Sequence, residues 1–517
     1  MSEKKKKDGD LSFGRKDTGC VLILAVFFAV LYIFLMYRTV PDIDEIGMYE
    51  WFSHHGLLYS VTQWIAPGNH IFYLAVSSVF DGITKDAVWG MRGAATLAAV
   101  VNTILFFCLV KKHLHTDRTV AFFAALFYGL TYGVMDYAVR GRGYTFCNLF
   151  FLLAFLSLGP VCRKEKKGYL LLVVSFVLGL YTVPTFLYCI LPVTLYLLID
   201  LIRRKDGKQF RNLLICAVIT GVAMLLLYFP VLLCLGIRQV DPEIKNMSFN
   251  FETAKNALQM FAERPFYVLK AGFDFFWQET THFTGRIPLQ EVCDGIVQQL
   301  KEIFVFTTPG NQLWFALLVI TGSLAGLGIF ARKEKENGVT WVALIALLIF
   351  IPVMFLQSVL PFIRVYLYLS APVSIGVAAL LKEVKDNTKK DGIYIAAGCL
   401  CAVGLLLWGM TGLLHTKGEW DGIYALCEKV DWKQIDKILP NGHIQEQFAQ
   451  YWEIREKKAG VDFDYDTPQL AIIGRDEFWS DRVAYEDLPW DYIRDNMFVF
   501  FEEDDVTGYI VDAGFLK

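Results

Sequence analysis

The sequence predicts an α-helical polytopic membrane protein, with about eleven transmembrane helices, juxtamembrane helices and a small C-terminal α/β domain. Three observations predict it. The 517 residues are 55% apolar, with a mean hydropathy of +0.42, where a soluble chain of this length carries more charge. The apolar residues gather in runs near the ~20 residues that cross a bilayer. Charge is also unevenly spread. Residues 415–517 hold 23 Asp and Glu against 11 Lys and Arg, while the whole chain has a net charge of only −3. A basic membrane part therefore precedes an acidic, soluble tail.

The N-terminal residues 1–19 are polar and include Lys4 to Lys7, Arg15 and Lys16. The apolar run 20–37 follows. It is longer than the core of a signal peptide, and no small-x-small site precedes Asp42. It is expected to be retained as the first span, with its N-terminus inside. The next apolar piece, 71–80, is too short to cross. Runs at 88–110, 120–137, 144–162, 169–183, 184–202 and 213–237 are long enough, as are 313–330, 341–356, 365–381 and 393–414. Pro184 marks a break between two short spans.

Five basic linkers test the count: 111–118, 163–167, 203–211, 332–335 and 382–390. All belong on the cytoplasmic side by the positive-inside rule. They all fall there only if 71–80 lies in the interface. The transmembrane domain is then 20–414, with the loops 38–87 and 238–312 and the domain 415–517 outside.

The loop 38–87 contains the richest polar stretch, at 41–73. It has three carboxylates in four residues (Asp42, Asp44, Glu45), His54 and His55, and the step Asn69-His70 after a Pro-Gly turn. Asp136, Arg140, Arg142 and Tyr144 belong to a second outer turn, and Arg364 opens a late span. Ionisable groups at a membrane edge are costly and usually functional. Carboxylates among several arginines suit phosphate chemistry. Guanidinium groups grip phosphate oxygens, and a carboxylate takes a proton from an attacking hydroxyl. Arg92, the fourth residue of Trp89-Gly90-Met91-Arg92, reads as a snorkelling anchor, and the His54-His55 pair as interfacial.

The loop 238–312 carries amphipathic pattern at 254–261 and 292–304, and it is placed to cover the site. The tail alternates helix-like stretches (420–438, 444–458) with strand-like ones (469–473, 497–502, 509–511). The eleven cysteines lie mostly in apolar runs, outside any metal spacing.

The order of these features resembles a known family. An acidic pair ends the first span, and a His precedes an aromatic juxtamembrane helix. An Arg then opens the next span, Arg142-Gly143-Tyr144 stands in the second turn, and an Arg-x-Tyr precedes a late span containing proline. This is similar to the polytopic GT-C glycosyltransferases, the superfamily of protein O-mannosyltransferases and aminoarabinose transferases. Those enzymes move sugars from polyprenyl-phosphate donors to acceptors on the outer face. The resemblance covers roughly 21–200 and the region of Arg364.

The resemblance implies a multi-pass cell-membrane enzyme with its site and tail on the extracytoplasmic side. Asp44 would be the general base of an inverting transfer, with Glu45 and Asp42 beside it. Arg142, Arg364, Arg140 and Tyr144 would hold the donor phosphate. His70, Asn69 and Asp136 would hold substrate. Asp44, Glu45 and His70 would be the ligands if a divalent metal took part; no other cofactor is expected. The partners are a polyprenyl-phosphate sugar, a lipid, glycan or protein acceptor, and membrane lipid, with no nucleic acid. Two places depart from the family pattern. Arg140 stands where relatives carry a Glu, and Ile71 follows His70 where they often have Pro.

The alternative is a polytopic transporter or a flippase for lipid-linked sugars. A transporter concentrates polar groups at mid-span, on broken helices of paired repeats. Here ionisable residues cluster at one face, and the halves show no repeat. The chain also lacks a glycine-rich phosphate loop and a nucleotide-binding domain, which weighs against a nucleotide-sugar donor.

Overall fold

The structure is a computed structural model. It describes residues 14–64, 69–240, 251–283, 285–388, 391–415, 420–458, 460–474, 487–503 and 506–517. Nine helices among these are long and apolar enough to cross a membrane. A tenth joins them if the pair Arg118–Gly129 and Tyr132–Val139, bent by 63°, counts as one span. Each of the eleven expected runs coincides with a helix or with this pair. The shortest single helix of the set, Lys166–Thr182, has 17 residues, about 25 Å at the helical rise. The chain is a multi-span membrane protein.

Side-chain exposure points the same way. Leu22, Val30, Leu225, Leu226 and Leu400 stand 63–74% exposed on long helices. Such faces are stable against lipid and not against water. Lipid gives helices no hydrophobic reason to associate, so close packing holds them together. Ala87–His113 buries Ala94, Ala95, Ala98 and Ala99. The helices Leu313–Lys333 and Ile363–Asn387 touch backbone to backbone, where a Cβ on Gly326 would strike the Gly376 carbonyl.

Several bends bring polar groups to one end of the bundle. Ile71–Thr84 is a short apolar helix of 14 residues, as expected of a juxtamembrane element. The break at Leu130-Thr131 is fixed by Thr131, whose hydroxyl donates to Phe127 O, and by Tyr132 N–H, which donates to Thr308 O. The 3-10 turn Pro184–Phe186 follows a helix ending at Thr182. Proline cannot continue that hydrogen-bond ladder.

The insertion after residue 238 forms the helices Phe251–Glu263, Pro265–Phe283 and Leu289–Phe306. The last of these braces the segment before Arg364, with Gln299 Nε2 donating to Pro361 O.

The tail forms a five-stranded sheet of order β2-β1-β3-β5-β4: β1 (Lys437–Pro440), β2 (Asp462–Phe463), β3 (Leu470–Gly474), β4 (Phe498–Glu502) and β5 (Val506–Ile510). β1 runs parallel to both β2 and β3, and β5 is antiparallel to β3 and β4. One expectation fails here. The helix expected over 420–438 ends at Lys429, and its last residues form β1. Pairing with two neighbouring strands outweighs local helical pattern, which is a weak preference.

The tail's core does not stop at the sheet. Ile46, Tyr49, Ala87 and Met91 belong to the same apolar cluster as Trp432, Phe448 and Trp452. Trp51 stacks on His443 at 5.8 Å. The helix His443–Arg455 therefore sits directly on the first-loop helix Ile43–Trp51.

Candidate active site

The first-loop helix begins with a capping box. Asp42 Oδ1 accepts from Asp44 N–H at 2.8 Å, and Glu45 Oε1 accepts from Asp42 N–H at 2.8 Å. A capping box satisfies free helix-terminal N–H groups reciprocally. Asp44 is the second helical residue.

Asp44 faces two arginines. Its Oδ2 lies 2.9 Å from Arg142 Nη1 and 2.9 Å from Arg364 Nη1. The Asp44 side chain remains 40% exposed, Arg364 is 26% exposed and Arg142 only 5%. The carboxylate is thus open on one side while the guanidinium groups are largely desolvated. The Nε atoms of Arg142 and Arg364 have no hydrogen-bond partner. Arg364 also lies over the Phe362 ring at 4.5 Å.

His70 completes this face. It is buried, and its Nδ1 accepts the Gly143 N–H at 2.6 Å. Burial, followed by the charges of Arg142 and Arg364, holds its pKa well below the ordinary value. The ring is therefore neutral, and its proton sits on Nε2. That Nε2 is buried without a partner. The Tyr144 ring packs edge-on to His70 at 4.8 Å.

Glycine is required twice here by close approach. A Cβ on Gly143 would stand 2.7 Å from His70 Nδ1, and one on Gly141 would stand 2.9 Å from Met91 O. Gly141 N–H in turn donates to Glu45 Oε2 at 2.5 Å.

The other expected residues are placed differently. Glu45 is fully buried and held by Arg92, with Nε to Oε2 at 2.9 Å and Nη2 to Oε1 at 2.5 Å. Burial raises its carboxyl, but the Arg92 guanidinium outweighs this, so the pKa falls below the ordinary value. Glu45 is thus a frame residue and not a partner standing beside Asp44.

Arg92 is no snorkelling anchor either. It is 2% exposed, and its Nη1 also donates to Met36 O and Thr39 O. Arg140 is spoken for as well. It lies 2.8 Å from Asp136 and 3.1 Å from Asp42, so it joins two carboxylates. Asp136 and Asp42 are consequently charge partners that shape the turn. Asn69 is buried, with Nδ2 donating to Gln63 O, and it braces the loop.

Asp44, Glu45 and His70 do not form a metal-ligand set. Glu45 is taken by Arg92 and His70 Nδ1 by Gly143. Among the described residues no three His, Cys, Asp or Glu side chains converge as ligands. His54 pairs with Asp81 at 3.3 Å and is 41% exposed, as an interfacial residue should be.

The site therefore presents an open carboxylate between a buried arginine, a partly exposed one and a neutral histidine donor, at one end of a helical bundle. The sequence profile of the dolichyl-phosphate-mannose-protein mannosyltransferase family matches residues 70–232. ArnT from Cupriavidus metallidurans, bound to undecaprenyl phosphate, superposes with a TM-score of 0.61. That match covers 97% of this chain and 99% of ArnT at 11% identity. The fold is that of ArnT. The apo state of the same ArnT gives 0.59 at 11% identity, over 97% of this chain and 99% of that one. The archaeal oligosaccharyltransferase AglB from Archaeoglobus fulgidus, in complex with an inhibitory peptide and a dolichol-phosphate, gives 0.50. It also has 11% identity, over 97% of this chain and 74% of AglB. Comparison with curated protein sequences finds no match. Within this fold, Arg92 and Gly141 have a framing role that sequence reasoning missed. Arg92 had a signal, a charge at the sixth residue of an apolar helix in a chain with a nearby acidic cluster.

Proposed function

We propose that this protein is a membrane glycosyltransferase that uses a polyprenyl-phosphate-linked sugar. It transfers the sugar to an acceptor hydroxyl or amine at the outer face, with inversion at the anomeric carbon. The observation that carries this reading is the Asp44 carboxylate bridging Arg142 and Arg364. ArnT and AglB, which share the fold, hold undecaprenyl phosphate and dolichol-phosphate.

The chemistry follows from the donors available. The bridging carboxylate marks a place where an anion is welcome. A donor phosphate has more oxygens to offer, and it draws on Arg142 Nε, Arg364 Nε and His70 Nε2, which lack partners. As the phosphate takes the guanidinium groups, Asp44 is released from them. Its exposed side then accepts the acceptor's proton while the acceptor oxygen or nitrogen attacks the anomeric carbon. The bond from that carbon to the phosphate oxygen breaks, and the electron pair leaves on the polyprenyl phosphate. Two fixed cations and one neutral N–H donor, already in place, stabilise the charge that develops there. Glu45 and Arg92 keep the first-loop helix and the second turn in register throughout.

The outer-face assignment rests on the five basic linkers at the opposite end of the helices. The test is to give the purified protein a series of defined polyprenyl-phosphate sugars with acceptor. Consumption of one of them, with release of polyprenyl phosphate, is expected; no consumption of any counts against the proposal.

A further inference from the structure

A second polar cavity lies at the other end of the bundle. Arg92 and His113 stand at opposite ends of one helix, Ala87–His113, about 30 Å apart by helical rise. The far end opens into a cavity of about 280 Å³, lined by Lys112, His113, Arg163, Glu334, Glu336 and Gly338 among others. We propose that it binds the phosphate of a membrane phospholipid with a small zwitterionic headgroup, from the leaflet opposite the transfer site.

Four features carry this. First, His113 Nε2 is buried without a hydrogen-bond partner, although His113 lines the cavity. Its backbone carbonyl is taken by Asn337 Nδ2, so the residue is held while one ring nitrogen remains unused. Second, the 20-residue helix Gly338–Gln357 starts in the cavity wall. Its first N–H groups lie ahead of the intrahelical ladder, and its dipole favours an anion there. Asn337 Oδ1 accepts the N–H and the hydroxyl of Thr340 in this turn.

Third, Lys112 and Arg163 bring two cations to the same wall. Arg163 gives Nε to Glu165 at 2.6 Å. Its Nη1 lies against Gly159, 3.3 Å from where a Cβ would stand, so that edge turns to the cavity that Gly159 also lines. Fourth, Glu334 and Glu336 line the same cavity as these cations. A purely anionic ligand would meet both signs of charge. A headgroup with a phosphate and an ammonium satisfies each.

The source follows from position. The cavity lies where the basic linkers gather, and Leu158 and Val339 add apolar wall beside the polar one. Basic pockets between transmembrane helices at that surface suit lipid headgroups. None of these residues belongs to the proposed transfer chemistry, so failure here leaves that reading untouched.

The test is the melting temperature of the full-length protein, purified in detergent and stripped of lipid. Short-chain phosphatidylethanolamine and inorganic phosphate are added separately. The Lys112→Glu/Arg163→Glu variant is compared with wild type and with Lys166→Glu/Lys208→Glu, which carries the same charge change outside the cavity. Phosphatidylethanolamine should raise the melting temperature of wild type and of the control variant, and the rise should vanish in Lys112→Glu/Arg163→Glu. Three outcomes overturn the proposal: no rise in wild type, an equal rise in Lys112→Glu/Arg163→Glu, or inorganic phosphate alone giving the whole rise.

Discussion

Glu45 and Arg92 form a two-pronged ion pair with both side chains sealed from solvent, at 0% and 2% exposure. It ties the first-loop helix to the second span, and through Glu45 Oε2 it also holds Gly141. Glu45 is the neighbour of Asp44 in the chain and Gly141 that of Arg142, so the pair joins the two segments that carry them.

Breaking that pair from one side is predicted to cost folding. Glu45→Gln leaves the Arg92 charge buried against neutral oxygens, with no carboxylate to meet it. Removing one partner of a buried pair costs roughly 3–5 kcal/mol. A thermal melt should show a large fall for Glu45→Gln, with activity lost in proportion to folded protein. A stable Glu45→Gln protein with a specific loss of turnover would return Glu45 to the chemistry.

Arg364→Lys should act on the donor. A lysine keeps the charge but cannot span two phosphate oxygens. The loss of one charge-assisted hydrogen bond, ~1.5–3 kcal/mol, should raise the donor KM roughly 10- to 100-fold. The melting temperature should stay close to wild type, because Arg364 is partly exposed and its ion pair to Asp44 survives. Initial rates over a range of donor concentrations check this, and an unchanged donor KM contradicts it.

Glu50 supplies a pH dependence at the contact between the first-loop helix and the tail. Burial, reinforced by Glu446 and Glu453, pushes its carboxyl up to about 8, from an ordinary value of 4.5. The folded protein therefore holds this proton over a range where the unfolded chain has lost it. Stability falls as pH rises between those two values, because the folded state binds more protons there. Glu50→Gln should melt close to wild type near pH 4.5 and above it at pH 8 and beyond. Melting curves across that range measure the difference. A gap that does not widen with pH would show that Glu50 ionises normally.

How much of this was legible in the sequence depends on the range of the interaction. Apolar runs near 20 residues are a local signal, and each expected run has its helix. The placement of Asp44, His70, Arg142 and Arg364 at one end came from counting spans against basic linkers, and the fold brings these four together. Asp136 and Arg140 stand four apart on a short helix, the spacing at which side chains meet. Their pairing is readable from that spacing.

Glu45 and Arg92 are 47 residues apart, with no spacing to link them, and an arginine inside an apolar run reads as a membrane anchor. β1 and β2, of four and two residues, are too short for a periodic pattern and exist through pairing. The docking of His443–Arg455 on the first-loop helix is a contact between remote segments, which periodicity cannot report.

The central claim is that Asp44 is the general base, and one measurement tests it most directly. Asp44→Asn keeps the size of the side chain and removes its capacity to take a proton. Turnover is compared with wild type at saturating donor and acceptor, with a melting curve on the same preparation. Loss of a general base costs roughly 10² to 10⁴ in rate. The account predicts a fall of that size in kcat, with the protein folded and donor binding retained. A folded Asp44→Asn protein that turns over near the wild-type rate would contradict it.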